Sequence, residues 1–384
     1  MKHLNITSKL PSIGTSIFTE MSGVANKLSA INLSQGFPEF ETPEFLKQSV
    51  ASAIENNKNQ YAPSSGAPEL LAQISKLVKK QYSVSINADE MATITSGATE
   101  ALFVAFQVVV NQGDEVIVFD PAFDSYKPAI ELAGGKSVHI PLDAPCYRID
   151  WDLVEEKINE KTRAIVINSP HNPTGTLITD EDMRHLETLV LKYNLWLISD
   201  EVYEYMTFDQ LPHQSALLYP DLFERTFVIS SFGKTFHCTG WKMGYCIAPK
   251  NLTAEFRKIH QFVTFCSSTP FQAGITSMLA EMPDHVDQLS AFYQHKRDVL
   301  QKALTGSRFE VLPSSGTYFL LVDYTNISEL NDLEFCYWMA KEIGVVAIPL
   351  SPFYEQPNQS RIVRLCFAKN DNTLVEAGKR MCRL

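Results

Sequence analysis

Lys234 stands in the stretch Ser231-Phe232-Gly233-Lys234-Thr235-Phe236-His237-Cys238-Thr239-Gly240-Trp241-Lys242-Met243-Gly244, directly after an apolar run. An amine set among aromatic and small residues loses hydration. Its pKa falls, and its neutral form can attack a carbonyl. Ser231 and Lys242 have the chemistry to address a phosphate. The bland alternative is a loop lysine in water, which so aromatic a composition disfavours. Three further clusters follow apolar runs. Thr95-Ser96-Gly97-Ala98-Thr99-Glu100 precedes an apolar helical pattern. A small-residue turn opening a helix offers free N–H groups beside the positive end of the helix dipole, an anion site suited to phosphate. An ordinary N-cap by Ser96 explains the same residues. Asn168-Ser169-Pro170-His171-Asn172-Pro173-Thr174-Gly175 predicts a tight type I turn that holds the Asn172 amide at a strand end, or a plain strand-to-helix turn. In Ser199-Asp200-Glu201-Val202-Tyr203 a carboxylate follows a buried strand. It needs a partner, because an unpaired buried charge is costly. A protonated pyridine nitrogen would serve, and Tyr203, one helical turn on, would reach the same ligand. An N-cap Asp at a surface helix is the alternative.

The elements that must position these residues read as an α/β fold. Short apolar runs alternate with helical patterns, as in a mainly parallel sheet. Runs at 115–120, 163–168, 195–199, 226–230 and 243–248 are continuous rather than alternating, which implies burial on both faces. Helical patterns cover 99–110, 126–132, 180–193 and 254–265. Thr269-Pro270-Phe271-Gln272 predicts a helix start with Thr269 as N-cap, Pro at the first helical position and Gln272 three residues after the cap. From about residue 310 β-rich stretches at 316–322, 345–348 and 361–367 surround a helix at 333–342. The expected organisation is an N-terminal segment, 1–45, packing with a small C-terminal domain, 286–384, and a large domain, 46–285, between them. A chain of 384 residues suits two such domains.

Composition bounds the partners. Apolar residues make up 45% and charged residues 20%, ordinary for a globular protein. The net charge of −11 argues against a nucleic-acid surface, which needs Lys and Arg in excess. Seven cysteines without a Cys-x-x-Cys pair argue against a disulfide framework and against a zinc site, and fit a reducing compartment. No run reaches the ~18 apolar residues of a membrane span, and the first residues lack the apolar stretch of a leader. A cytoplasmic location is expected.

Taken in order, the four clusters and a late Arg364 resemble the fold-type I, class I/II aminotransferases that use pyridoxal 5′-phosphate. The resemblance covers nearly the whole chain. It rests on NPTG at 172–175, SDEVY at 199–203 and SFGKTFHCTGWKMGY at 231–245. INLSQGFPEF at 31–40, NQYAPSSG at 59–66, PAFDSY at 121–126 and RLCFAK at 364–369 are similar to the methionine aminotransferase and kynurenine/glutamine transaminase branch. The resemblance implies an aspartate-aminotransferase-like architecture, with a seven-stranded, mainly parallel sheet between helices and a smaller α+β domain. It implies that Lys234 carries the cofactor as an internal aldimine and then shuttles the Cα proton. Asp200 would keep the ring nitrogen protonated; Asn172 and Tyr203 would bond the phenolic oxygen; Phe123 would stack on the ring. Gly97, Ala98, Thr99, Ser231 and Lys242 would hold the phosphate, and Tyr61 would reach it across a homodimer interface. Many class I relatives carry Arg where this chain has Lys242, which keeps the charge but loses the planar fork. Arg364 would grip the substrate carboxylate, assisted by Gly36 and Asn172. Phe18, Phe37 and Tyr126 are candidates for an apolar side-chain pocket. The expected substrates are methionine, glutamine or aromatic amino acids with a 2-oxo acid, and no metal.

Rival chemistries fit less well. Ser231-Phe232-Gly233-Lys234 matches Ser-x-x-Lys of penicillin-binding enzymes, but the companion Ser-Asp-Asn and Lys-Thr-Gly are absent. Neither a dinucleotide fingerprint nor a phosphate loop occurs. Within the same cofactor chemistry, a carbon–sulfur β-lyase uses the same Lys234, Asp200 and Arg364. A cofactor-binding regulatory module is the non-enzymatic alternative.

Overall fold

A computed structural model describes residues 6–384. The expectation about a leader, drawn from the first residues, falls largely on Met1 to Asn5, outside the described residues. The central sheet has seven strands in the order Ala92–Thr95, Gly244–Ile247, Thr226–Ser230, Trp196–Asp200, Thr162–Asn168, Glu115–Asp120, Lys136–Pro141. Gly244–Ile247 runs antiparallel to both neighbours, and the strands from Thr226–Ser230 to Lys136–Pro141 pair in parallel.

The continuous apolar runs have a direct cause. Alternate residues point to opposite faces, and both faces are covered. Val116, Val118, Val166, Ile198, Phe227 and Ile229 pack under the helix Ala98–Val109. Ile117, Phe119, Ile165, Ile167, Leu197 and Val228 belong to the larger core on the other side. Each such side chain contributes about 1.5–3 kcal/mol by leaving water. Two strands escaped the sequence pattern. Ala92–Thr95 is buried throughout but carries two threonines, and Lys136–Pro141 is a half-exposed edge.

A second sheet, antiparallel, has the order Ile348–Pro349, Ile362–Cys366, Phe319–Asp323, Glu310–Val311. Ile31–Asn32 pairs in parallel with Val345–Val346, and the helix Ile17–Leu28 packs on Asp332–Ile343. Residues 17–32 therefore pack against residues 332–346.

Three local expectations are corrected. The helix Thr269–Glu281 takes Ser268, not Thr269, as N-cap and has no side-chain cap. Thr269 Oγ1 instead donates to Gln60 O at 2.7 Å and accepts from Ala62 N, while Gln272 Oε1 accepts from Ala67 N at 2.7 Å. The capping residues are spent on holding the 60–67 loop. The turn at Asn172 is not type I: Gly175 N–H bonds His171 O, a wider i to i+4 closure. Tyr203 follows Asp200 through turns, not along a helix, so Asp200 is a strand-end residue and caps no helix.

Candidate active site

Strand Thr162–Asn168 and strand Trp196–Asp200 end side by side, with Asn168 paired to Asp200. Asn168 Nδ2 donates to Asp200 O at 2.8 Å, and its Oδ1 accepts from Asn172 N at 2.8 Å. The strand ends thus fix both the carboxylate and the amide. Beyond them opens a cavity of about 350 Å³. Thirteen of the fourteen expected site residues line it: Phe18, Gly36, Gly97, Ala98, Thr99, Phe123, Asn172, Asp200, Tyr203, Ser231, Lys234, Lys242 and Arg364.

Tyr61 is the exception. It is 81% exposed, its ring edge-on to Phe265 at 5.0 Å. Phe37 and Tyr126, expected in an apolar pocket, lie elsewhere. Phe37 is half exposed beneath the Lys369 ammonium, because its loop turns it outward. Tyr126 is buried behind Asp200 and donates to its Oδ2 at 2.6 Å.

One end of the cavity is built for an anion. The helix Ala98–Val109 has Gly97 as N-cap, with φ +78° and no side-chain cap, so Ser96 does not close this end. Ser96 N–H bonds Glu100 Oε2 instead. The first-turn N–H groups of a helix have no intrahelical partner. A side chain at position 97 would be strained at this φ, and its Cβ would lie 3.3 Å from Lys242 Cε. Lys242, itself at φ +53°, places Nζ 3.5 Å from Thr99 Oγ1.

Three charged groups face the same space, and burial pushes each toward its neutral form. Asp200 is 3% exposed, and its carboxyl is pushed up to about 6 by burial, against the lowering bonds from Tyr126 and Val202. The half-buried Lys234 sits in the single helical turn Phe232–Thr235; burial brings its amine down to about 8. Its Nζ donates to Tyr318 Oη at 2.6 Å. Arg364, wholly buried on strand Ile362–Cys366, is likewise lowered by burial. Its Nη1 donates to Asn172 Oδ1 at 2.9 Å and its Nη2 to Ser34 O at 3.1 Å, while Nε has no partner. The guanidinium lies 3.9 Å from the Phe319 ring centre, with Phe18 and Phe353 at 5.2 and 5.6 Å.

The donor set fits a molecule carrying a phosphate, a carbonyl and a protonatable nitrogen. The open helix end and Lys242 suit the first, Lys234 the second, and the unpaired buried Asp200 the third. The orphaned Nε and aromatic collar of Arg364 suit a carboxylate. Sequence reasoning missed Gln35, Asn168, Thr239, Phe319 and Tyr318 here. Asn168 alone carried a signal, as the polar end of a continuous strand; the others depend on contacts far apart in the chain.

The chain matches the model of the family aminotransferase class I and II over residues 29–380. It is 47% identical to methionine aminotransferase of Escherichia coli (strain K12), covering 98% of each chain. It is 35% identical to kynurenine–oxoglutarate transaminase of Dictyostelium discoideum, over 97% of this chain and 95% of that one. Its structure is similar to that of YbdL from Escherichia coli, whose crystal structure and reactivity identify a methionine aminotransferase function, with a TM-score of 0.98, 46% identity and full coverage of both chains.

Proposed function

The chain belongs to the aminotransferase class I and II family, and from that premise we propose that it transfers the amino group of methionine, glutamine or an aromatic amino acid to a 2-oxo acid, with pyridoxal 5′-phosphate held by Lys234. The observation that carries this reading is the convergence of Asp200, Lys234, Arg364 and an uncapped helix end on one cavity. Asp200 would face the ring nitrogen, Phe123 the ring, Asn172 and Tyr203 the phenolic oxygen. Gly97, Ala98, Thr99, Ser231 and Lys242 would take the phosphate. When bound, the cofactor supplies an electron sink for the pair left at Cα.

The chain's own residues do the rest. With its amine near 8, Lys234 is roughly one-tenth neutral at pH 7, ready to attack a carbonyl. Displaced by substrate, Nζ takes the Cα proton and returns it. Asp200 stays ionised once a cation neutralises the cost of its burial. Arg364 and the Gly36 backbone grip the α-carboxylate, so they set which Cα bond stands across the ring. Among the described residues Arg364 is the one arginine lining the cavity, which disfavours a side-chain carboxylate. Phe18 and Phe319 offer an apolar wall, which discriminates weakly between similar side chains. Broad use of unbranched and aromatic donors follows.

The relatives' names favour transamination over carbon–sulfur lysis and over a regulatory role. The reading extends to a cytoplasmic homodimer in which Tyr61 reaches the partner's phosphate. The exposed Tyr61 and Phe265, in ring contact with each other, support an interface there, since exposed apolar patches mark association surfaces. Among the described residues no helix is long and apolar enough to cross a membrane. We also propose the division 1–45, 46–285 and 286–384, which puts the start of the helix Asp284–Ala303 at the junction.

The test is a half-reaction. Loaded protein given methionine without acceptor should release one 2-oxo acid per site and no ammonia, and Lys234→Ala should release none. Ammonia with pyruvate would assign a lyase. Reaction with aspartate alone, methionine, glutamine and phenylalanine being inert, would overturn the substrate class.

A further inference from the structure

Tyr318 is wholly buried and stands immediately behind Lys234. Its Oη accepts from Lys234 Nζ at 2.6 Å and donates to Gly36 O at 2.6 Å. Because the Gly36 carbonyl can only accept, the hydroxyl's single proton goes to it and the hydroxyl has a defined polarity: acceptor toward the amine, donor toward the backbone. The ring is fixed on several sides. Tyr203 lies edge-on at 5.1 Å, Phe319 at 4.8 Å, and Tyr293 at 5.7 Å.

The backbone before it is equally determined. Thr317 has φ +68°, a conformation a β-branched residue adopts only when its surroundings impose it. Here Thr317 N donates to Met206 O at 3.0 Å, Gly316 bridges to Thr207, and Thr317 Oγ1 accepts from Phe319 N at 3.0 Å. A Cβ at Gly316 would lie 2.7 Å from Pro170 Cβ and 2.9 Å from Met206 O. The turn is thus pinned to the segment that follows Asp200, and it delivers Tyr318 to one place. The same tyrosine touches the loop that holds Gly36, beside Ser34, whose carbonyl accepts from Arg364.

We propose that Tyr318 is a positioning residue for the reaction: its hydroxyl holds the released Lys234 amine and ties it to the Gly36 backbone of the carboxylate site. The proposal rests on Lys234 being the reactive amine. It adds that the amine, whose proton affinity is governed first by burial and then by Cys366, Asp200, Lys242 and Arg364 around it, is also held by a hydroxyl that does not line the cavity, carried just before the strand Phe319–Asp323. When substrate displaces the lysine, the free amine then has a fixed resting place from which to take the Cα proton. The order of events at Nζ is a return to Tyr318, not a search of the cavity.

Removing an acceptor from an ammonium disfavours the charged form. Tyr318→Phe should therefore lower the proton affinity of Lys234 by about tenfold, a downward shift of about one pH unit. The readout is the pH dependence of reductive methylation at Lys234, resolved by peptide mass mapping in full-length, cofactor-free protein. A midpoint that moves from about 8 to about 7 supports the assignment; an unmoved or higher midpoint overturns it. A second measurement needs no change at 318. With ¹³Cζ-tyrosine at that position alone, the resonance should titrate at the Lys234 midpoint, and be flat in Lys234→Ala. A flat signal in the otherwise unaltered protein overturns the proposal even if Tyr318→Phe fails to fold. Neither readout uses the cofactor, so failure of the transaminase reading and failure of this one are separate results.

Discussion

Replacing Asp200 by Asn should strengthen the cofactor-free protein and weaken its grip on the cofactor. The folded carboxyl stands at about 6 against an ordinary 3.8, with burial as the main cause. That difference of about 2.2 units corresponds to about 3 kcal/mol of stability lost above pH 6 by keeping the buried group ionised. The sign follows from proton affinity. The folded state binds this proton more tightly than the unfolded chain does, so protonation favours folding. The cost is full above about pH 6, close to half by about pH 5, and gone below about 3.8. Asn keeps an oxygen for the Tyr126 hydroxyl, but its buried amide needs partners and offsets about 1–2 kcal/mol of the gain. The net expectation is a melting temperature higher by about 1–2 °C at pH 7.5, with the gap narrowing at pH 5. Calorimetry of both proteins without cofactor, at both pH values, measures it. Absorbance titration should show the opposite effect on affinity, a loss of about 100-fold, because breaking a charge pair in a buried site is expensive. An Asn variant that melts lower at pH 7.5, or a gap that stays constant to pH 5, would refute the argument that this carboxylate is strained for want of a cation.

Three further outcomes follow from the same geometry. Arg364→Lys keeps the charge but not the fork, so kcat/KM for methionine should fall by about 30–100-fold in steady-state assays. Lys242→Ala should raise the dissociation constant of the cofactor about tenfold in equilibrium dialysis, with the difference shrinking as salt is added, since this lysine is exposed. The rate at which added cofactor bonds Lys234 should rise with pH through about 8 and level off, because only the neutral amine attacks; a midpoint near 10 in stopped-flow absorbance would contradict the burial of Nζ.

Much of the fold was legible because burial on both faces leaves an unbroken apolar run. Thr226–Ser230 shows this, with every residue buried. Ala92–Thr95 is as deeply buried, yet its threonines hide the signal. Strand direction was not legible either. The residues of Gly244–Ile247 look the same whether they run with or against Thr226–Ser230, and the intervening stretch is long enough for either connection. At the site, residues at the ends of strong strands were readable. Asp200 sits at such an end, where an open sheet presents its crevice, whereas Asn168 ends the neighbouring strand with the same signal and was missed. Tyr318 was not readable, because its role comes from contacts with Lys234 and Gly36, 84 and 282 positions away. The pattern at 316–322 predicted a strand but gave no hint which residue would stand at its rim.

Buried charge by itself would not have marked the site, since the core holds other buried charges. Glu201 is as buried as Asp200, but it accepts from Ser199 Oγ at 2.7 Å and Ala216 N at 3.0 Å, and faces His213 Nε2 at 2.9 Å. Glu204, raised by burial, accepts from Tyr245 and is bonded by Tyr82 and Ser230. Those carboxylates are satisfied by the fold, and a ligand would have nothing to add. Asp200 has one strong donor for two oxygens, Lys234 has a neutral phenol where a carboxylate would serve better, and Arg364 keeps an idle Nε. Asp200 and Lys234 share the cavity without forming an ion pair with each other. A fold that needed only stability would have paired them or replaced them with apolar residues. Their separation leaves each with an unmet requirement of a different kind, and one molecule with a phosphate, a ring nitrogen and a carbonyl, followed by an amino acid, meets all of them.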